Sequence, residues 1–131
     1  MKGLRLLTIV MVSLLAYHTV NLNAKSTTPK PQVTFVELGS VNCIPCKMMQ
    51  PVMKEIETIY GNKVEVVFYD VWKQEHKAMA SKYKIKAIPT QVFLDKDGKE
   101  FFRHEGFYPK DEMVKMLDKH LGITRKATNK Q

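Results

Sequence analysis

The chain has 131 residues, 44% of them apolar and 26% charged, with a formal net charge of +8. That suffices for one domain of ordinary size and excludes a disordered or low-complexity protein. The basic residues are spread along the chain rather than gathered in one long tract. A solvated surface is therefore the expectation and nucleic-acid binding is not, although a mild preference for acidic partners or an anionic membrane face fits the charge.

In chain order, the first five residues carry Lys2 and Arg5, and residues 6–16 form an unbroken run of mostly apolar side chains. A polar stretch with a small residue at Ala24 follows, which is the pattern of a secretory signal peptide over residues 1–24. The run is short for a membrane span, which needs about 20 apolar residues. Leu22 is a mediocre residue for the −3 position of a cleavage site, so an uncleaved anchor stays open as the alternative. Residues 25–32 contain Pro29 and Pro31 and have no periodicity, as expected of a linker.

Residues 33–38 read as a strand. Cys43 and Cys46, the only cysteines, follow after a short turn. Met49, Val52, Met53, Ile56, Ile59 and Tyr60 then recur at helical spacing, and Gly61-Asn62 is a stop signal. Pro51 inside this helix predicts a kink. Residues 64–71 are almost all β-branched or aromatic, as expected of a buried central strand. Residues 74–83 predict a short helix with Met79, Ala80 and Tyr83 inward. Residues 90–94 and 99–104 predict two strands joined by a turn at Asp95-Lys96-Asp97-Gly98. In the last helix Pro109 fits the first turn, Asp111 and Glu112 suit its positive end, and Met113, Val114, Leu117 and Leu121 form the apolar stripe. Lys119 and His120 suit its negative end, and Gly122 stops it. Residues 123–131 form a basic tail. The predicted order β-α-β-α-β-β-α gives an α/β domain over residues 33–122, a mixed four-stranded sheet flanked by helices.

The Cys43-Ile44-Pro45-Cys46 stretch carries the chemistry. A C-x-x-C at a strand-to-helix junction places the first sulfur over unpaired amides at the positive end of the helix dipole, which favours the thiolate that attacks disulfides. A structural bridge here would close almost no loop. A zinc site would need further ligands, and His76, His104 and His120 are scattered, so no metal is expected. Redox chemistry is the preferred reading.

These motifs together resemble the thioredoxin superfamily over about residues 33–122. Cys43-Ile44-Pro45-Cys46-Lys47-Met48, with Pro51 behind it, is similar to the family's active-site helix. Lys82-Tyr83-Lys84-Ile85-Lys86-Ala87-Ile88-Pro89-Thr90 is similar to its second signature, whose proline follows a cis peptide bond. The Asp97-Gly98 turn and Gly106 fall where the family has its hairpin and late glycine. Departures are Asn42 where Trp is usual, Ile44 where thioredoxin has Gly, and the apparent lack of the usual first strand and helix. They point away from a housekeeping cytosolic thioredoxin and towards a small exported relative.

The resemblance implies a thiol–disulfide oxidoreductase with no cofactor beyond a redox-active Cys43–Cys46 disulfide. Cys43 is the expected nucleophile and Cys46 the resolving thiol. Glu37 stands six residues before Cys43, where thioredoxin has a buried aspartate, and is the expected base for Cys46; an ordinary Glu at a sheet edge is the alternative. Ile44 and Pro45 would add an apolar lip, and Ile88 and Pro89 would offer backbone to an extended substrate. The Pro before the second cysteine matches thioredoxin, whose potential is about −270 mV, and favours a reductant. Outside the cytosol a reductant requires a membrane thiol electron donor. Its clients would be protein disulfides, and a monomer is expected. An oxidase or isomerase, or a thioredoxin-like copper-binding module, are the competing readings. The remaining features read as bland: Met48, Met49, Met53, Met79, Met113 and Met116 mostly as core packing, Trp72 as a surface or loop aromatic, His104 as solvent-exposed, and the Asp95 and Asp97 turn as a plain hairpin.

Overall fold

The computed structural model describes residues 29–125. The two ends, including the signal-like segment and most of the basic tail, lie outside them. Strand β1 (Val33–Gly39) leads into helix α1 (Ile44–Tyr60), followed by β2 (Val64–Asp70), helix α2 (Lys77–Lys82), β3 (Thr90–Asp95), β4 (Glu100–Glu105) and helix α3 (Lys110–Leu121). The sheet order is β2-β1-β3-β4. β1 runs parallel to β2 and antiparallel to β3, and β3 is antiparallel to β4. This is the mixed four-stranded α/β arrangement expected from the order of elements.

β1 is central, and its period-two alternation sets what each face holds. Val33 and Phe35 point to one side, where they pack with Met49, Val52, Met53 and Ile56 of α1 and with Met113 and Leu117 of α3. Val36 and Leu38 point to the other, where Met79 and Ala80 of α2 and Tyr83, Ile85 and Ile88 cover them. Val33, Phe35, Val36 and Leu38 are fully buried, which is worth about 1.5–3 kcal/mol for each. Phe35 stacks on Phe93 with centroids 4.8 Å apart, and Phe93 meets Phe102 at 5.8 Å, so one aromatic row spans β1, β3 and β4.

The helix stops are as punctuated. Gly61 has φ of 54° after α1 and Gly122 has φ of 66° after α3, a left-handed backbone that glycine adopts at little cost. α1 continues on both sides of Pro51. At its end the Tyr60 hydroxyl donates to Asp118 Oδ1 at 2.8 Å, and Arg125 clasps the same carboxylate at 2.6 and 3.0 Å. The ends of α1 and α3 are thereby tied together.

Three expectations need correction or qualification. β2 is an edge strand among the described residues, not a central one, and Val66 to Tyr69 are only half-buried. Its apolar run reflects helices on both faces, not neighbours on both edges. Met48 is about half exposed; it lies one position, or 100° of helix, away from the buried Met49. His104 is half-buried and stacks on Tyr108 at 4.4 Å.

Candidate active site

β1 ends at Gly39, Ser40 to Asn42 turn the chain, and Cys43 is the N-cap of α1. The Cys43 amide donates to the Ser40 carbonyl at 3.2 Å, and the Lys47 amide closes the first helical turn on the Cys43 carbonyl at 3.0 Å. No side chain caps α1 and its first turn holds no acid. The positive end of its dipole is therefore left for the sulfur. Pro45 lies within the first turn, where a missing N–H costs nothing.

Cys43 and Cys46 are joined in a disulfide with Cα atoms 5.2 Å apart. Their exposures differ in the sense that exchange chemistry requires. Cys43 is partly exposed, whereas Cys46 is 1% exposed and rests against β1. Ile44 is 75% exposed, and Val41, Met48, Trp72 and Phe107 add further exposed apolar surface. Trp72 is thus a surface aromatic.

The turn before Cys43 is held by residues that sequence reasoning passed over. Asp70, buried at the end of β2, accepts the Val41 amide on Oδ2 at 3.3 Å and the Trp72 amide on Oδ1 at 3.2 Å. Burial works to raise its pKa. The two amides, the Ser40 side chain and the charge of Lys73 outweigh that and hold the carboxyl below its ordinary range. The Ser40 hydroxyl also accepts the Asn42 amide at 3.2 Å. The only sequence signal was an Asp ending an apolar strand.

Glu37 lies between Phe35 and Gly39 on the α1 face of β1. It is fully buried. Its Oε1 accepts from Gln91 Nε2 at 3.2 Å, across the β1–β3 pair in which the two residues are opposite each other. Burial pushes its pKa up to about 8, with the Gln91 donor working the other way. Glu37 is therefore not an ordinary surface acid at a sheet edge. Gly39, two residues on, is the point where Cys46 Sγ meets the strand. Glu37 and Gly39 are successive residues on the same face of β1, about 6–7 Å apart along the strand, so the carboxyl and the buried sulfur lie at the same end of the sheet.

Pro89 is buried, and the Ile88–Pro89 peptide bond is cis. Leu38 pairs with Thr90, which places Pro89 at the end of the sheet where β1 delivers the cysteines. The Gly106 amide donates to the Pro89 carbonyl at 2.8 Å, and the Thr90 hydroxyl to the Ala87 carbonyl at 2.7 Å. The Ile88 side chain turns into the core with Val36 and Leu38. Among the described residues no three His, Cys, Asp or Glu side chains come together as a metal-binding group.

Comparison with known proteins agrees with this geometry. A family described as "Thioredoxin-like domain" matches residues 21–121. Thioredoxins of Staphylococcus aureus, among them that of strain Mu50, are 37% identical over 89 residues, covering 68% of this chain and 83% of theirs. Among solved structures, a mutant thioredoxin of Halobacterium salinarum NRC-1 superposes with a TM-score of 0.61 at 25% identity, covering 71% of this chain and 78% of that one. A thioredoxin-2 described as a component of malaria parasite protein secretion machinery gives 0.62 at 24% identity, covering 70% and 86%, and shows the fold alone. The general activity of the family is thiol–disulfide oxidoreduction. With its sheet order, its helix-capping Cys43–Cys46 disulfide and this likeness over most of its length, the chain belongs to the thioredoxin-like family.

Proposed function

We propose that this protein is an exported, monomeric protein-disulfide reductase that works through a mixed disulfide. The observation that carries the reading is the unequal exposure of the two sulfurs at the uncapped start of α1. Cys43 is open to a client and Cys46 is shielded behind it. In the reduced protein the Cys43 thiolate attacks a client sulfur, forming one S–S bond and releasing the other client sulfur as a thiolate. Glu37 takes the Cys46 proton. The Cys46 thiolate then attacks Cys43 Sγ, the mixed disulfide breaks, and the second client sulfur leaves. The client gains two electrons and the protein ends with the Cys43–Cys46 disulfide.

Ile44 and Pro45 form the client-contacting surface, extended by exposed Trp72 and Met48, and the backbone of Ile88, turned by Pro89, pairs with an extended client segment. Charged residues over residues 1–5 and the apolar run after them support export to the periplasm or another extracytoplasmic space, with or without retention of the N-terminus in the membrane. A reductant there needs electrons delivered through a membrane thiol donor.

The test is insulin reduction, with trapping. The reduced protein should precipitate insulin, and Cys46→Ser should accumulate a mixed disulfide through Cys43. A glutathione-equilibrated potential above about −200 mV would instead assign an oxidase or isomerase. Stoichiometric Cu(I) uptake with no exchange would assign a metal carrier.

A further inference from the structure

Gln91 takes no part in the exchange of sulfurs, yet it is fully buried in the middle of a four-residue row across the sheet. Pairing sets the order of that row. Phe68 lies beside Glu37, Glu37 beside Gln91, and Gln91 beside His104. The adjacent row, Val66, Phe35, Phe93 and Phe102, is wholly apolar, with three aromatic rings in four positions. A leucine or phenylalanine at 91 would continue that packing without desolvating an amide, which costs free energy when left unpaired. Here the amide is half paired. Nε2 donates to Glu37 Oε1, while Gln91 Oε1 and Glu37 Oε2 have no hydrogen-bond partner.

We infer that Gln91 is a positioning residue for the buried base: its amide holds Oε1 of Glu37 and so makes Oε2 the oxygen that receives the Cys46 proton. This rests on the reading of Glu37 as that base. Oε2 needs no protein donor to be displaced before it accepts a proton. The carboxyl cannot turn freely, because Oε1 is anchored across the β1–β3 pair. The orphaned Oε1 of Gln91 and Oε2 of Glu37 supply two acceptors for a bridging water, which can pass the proton from a sulfur that makes no direct bond to the carboxyl.

The amide also favours the ionised carboxyl, opposing the burial that raises its pKa. The other titratable groups around the row are Cys46 on α1, with Cys43 beyond it, His104 on β4, and Tyr108 stacked on His104 with Glu112 acting on it. β2 presents Phe68 in the row and, one pair further along beside Gly39, the buried carboxyl of Asp70. With the cysteines joined in the disulfide, none of these contributes a charge to the shift of Glu37, and its ionisation in that form is set by burial and by Gln91.

The experiment is the pH profile of the resolving step. It is followed in single turnover from the Cys43 mixed disulfide, in the full chain and in Gln91→Met, Gln91→Leu and Glu37→Gln. Met keeps the length of the side chain and removes the donor. Hydrogen bonds to charged groups are strong enough that its loss should move the profile about one pH unit or more towards alkali. The rate at pH 7 should fall about tenfold and recover as the pH is raised, with first attack by Cys43 unchanged. Gln91→Leu should do the same, and guards against a misfolded Met variant. A 13C titration of the Glu37 carboxyl in the same proteins should show the same shift. A Gln91→Met profile that overlays the parent, while Glu37→Gln leaves a profile that follows the Cys46 thiol alone, overturns the inference and leaves Glu37 as base. If Glu37→Gln also leaves the profile unmoved, the base itself is misassigned and the inference goes with it.

Discussion

Gly39 on β1 and Cys46 on α1 meet so closely that a methyl group on Gly39 would stand 3.2 Å from both Cβ and Sγ of the cysteine, and 3.5 Å from the Phe68 ring. The missing side chain is what lets the start of the helix lie down on the strand. Gly39→Ala should push Cys46 outward by a few tenths of an ångström, at a cost of about 1–3 kcal/mol. The oxidised protein should suffer more than the reduced one, whose free Cys46 Sγ can rotate away. Thermal unfolding of both forms checks this; an oxidised variant as stable as the parent would show that the contact is slack.

Glu37 should make stability depend on pH in a direction opposite to most acids. Its carboxyl is raised to about 8 in the fold, against an ordinary value near 4.5. The folded state therefore holds a proton that the unfolded state has lost. Stability is full below the unfolded value, falls as the pH rises towards 8, and is flat above it. Glu37→Leu should remove this slope and stabilise the protein above pH 8 by on the order of a few kcal/mol, while slowing turnover. Urea unfolding at pH 5, 7 and 9 is the measurement. Parallel slopes for parent and variant would mean that the carboxyl is not buried in the way described.

What the sequence makes legible follows from which interactions are local. The boundaries of α1 and α3 rest on Gly61, Pro109 and Gly122, whose backbone preferences act within a turn. The cysteine pair is local too: helix start, spacing and redox role all lie within four residues. Edge and centre are not local. A β-α-β unit makes β1 and β2 parallel neighbours whichever of them has a second partner, so β2 read as central from composition alone. Gln91 shows the same limit. A glutamine in Thr-Gln-Val-Phe-Leu looks like a break in strand patterning until the register sets it opposite Glu37. Asp70 acts through amides 29 and two residues away, and the longer of these links belongs to tertiary structure.

Asp70 should act as the clamp on the turn before Cys43. Asp70→Ala leaves the Val41 and Trp72 amides without their acceptor and should cost about 2 kcal/mol. Its carboxyl is held below the ordinary range, so its stabilisation is present above about pH 4, the unfolded value, and is lost as the pH falls through the folded one. Asp70→Asn should therefore flatten part of the acid limb while leaving the neutral fold intact. Acid unfolding of parent and variant compares the two limbs directly; identical limbs would remove Asp70 from the account.

Ile44 separates fold from client binding. It is the first residue of α1 and 75% exposed, so the folded chain buries little of it. Ile44→Ser should change stability by no more than about 0.5 kcal/mol, as at other surface positions. Its effect should emerge only when a protein covers the lip around Cys43. Partial burial of an isoleucine is worth about 1 kcal/mol, roughly fivefold in kcat/KM. Exchange with a small aromatic disulfide, which reaches Cys43 without covering its surroundings, should be unchanged. Parallel assays with insulin and the small disulfide make the comparison, and equal losses on both substrates would show that Ile44 acts on the Cys43 thiolate itself and not on the client.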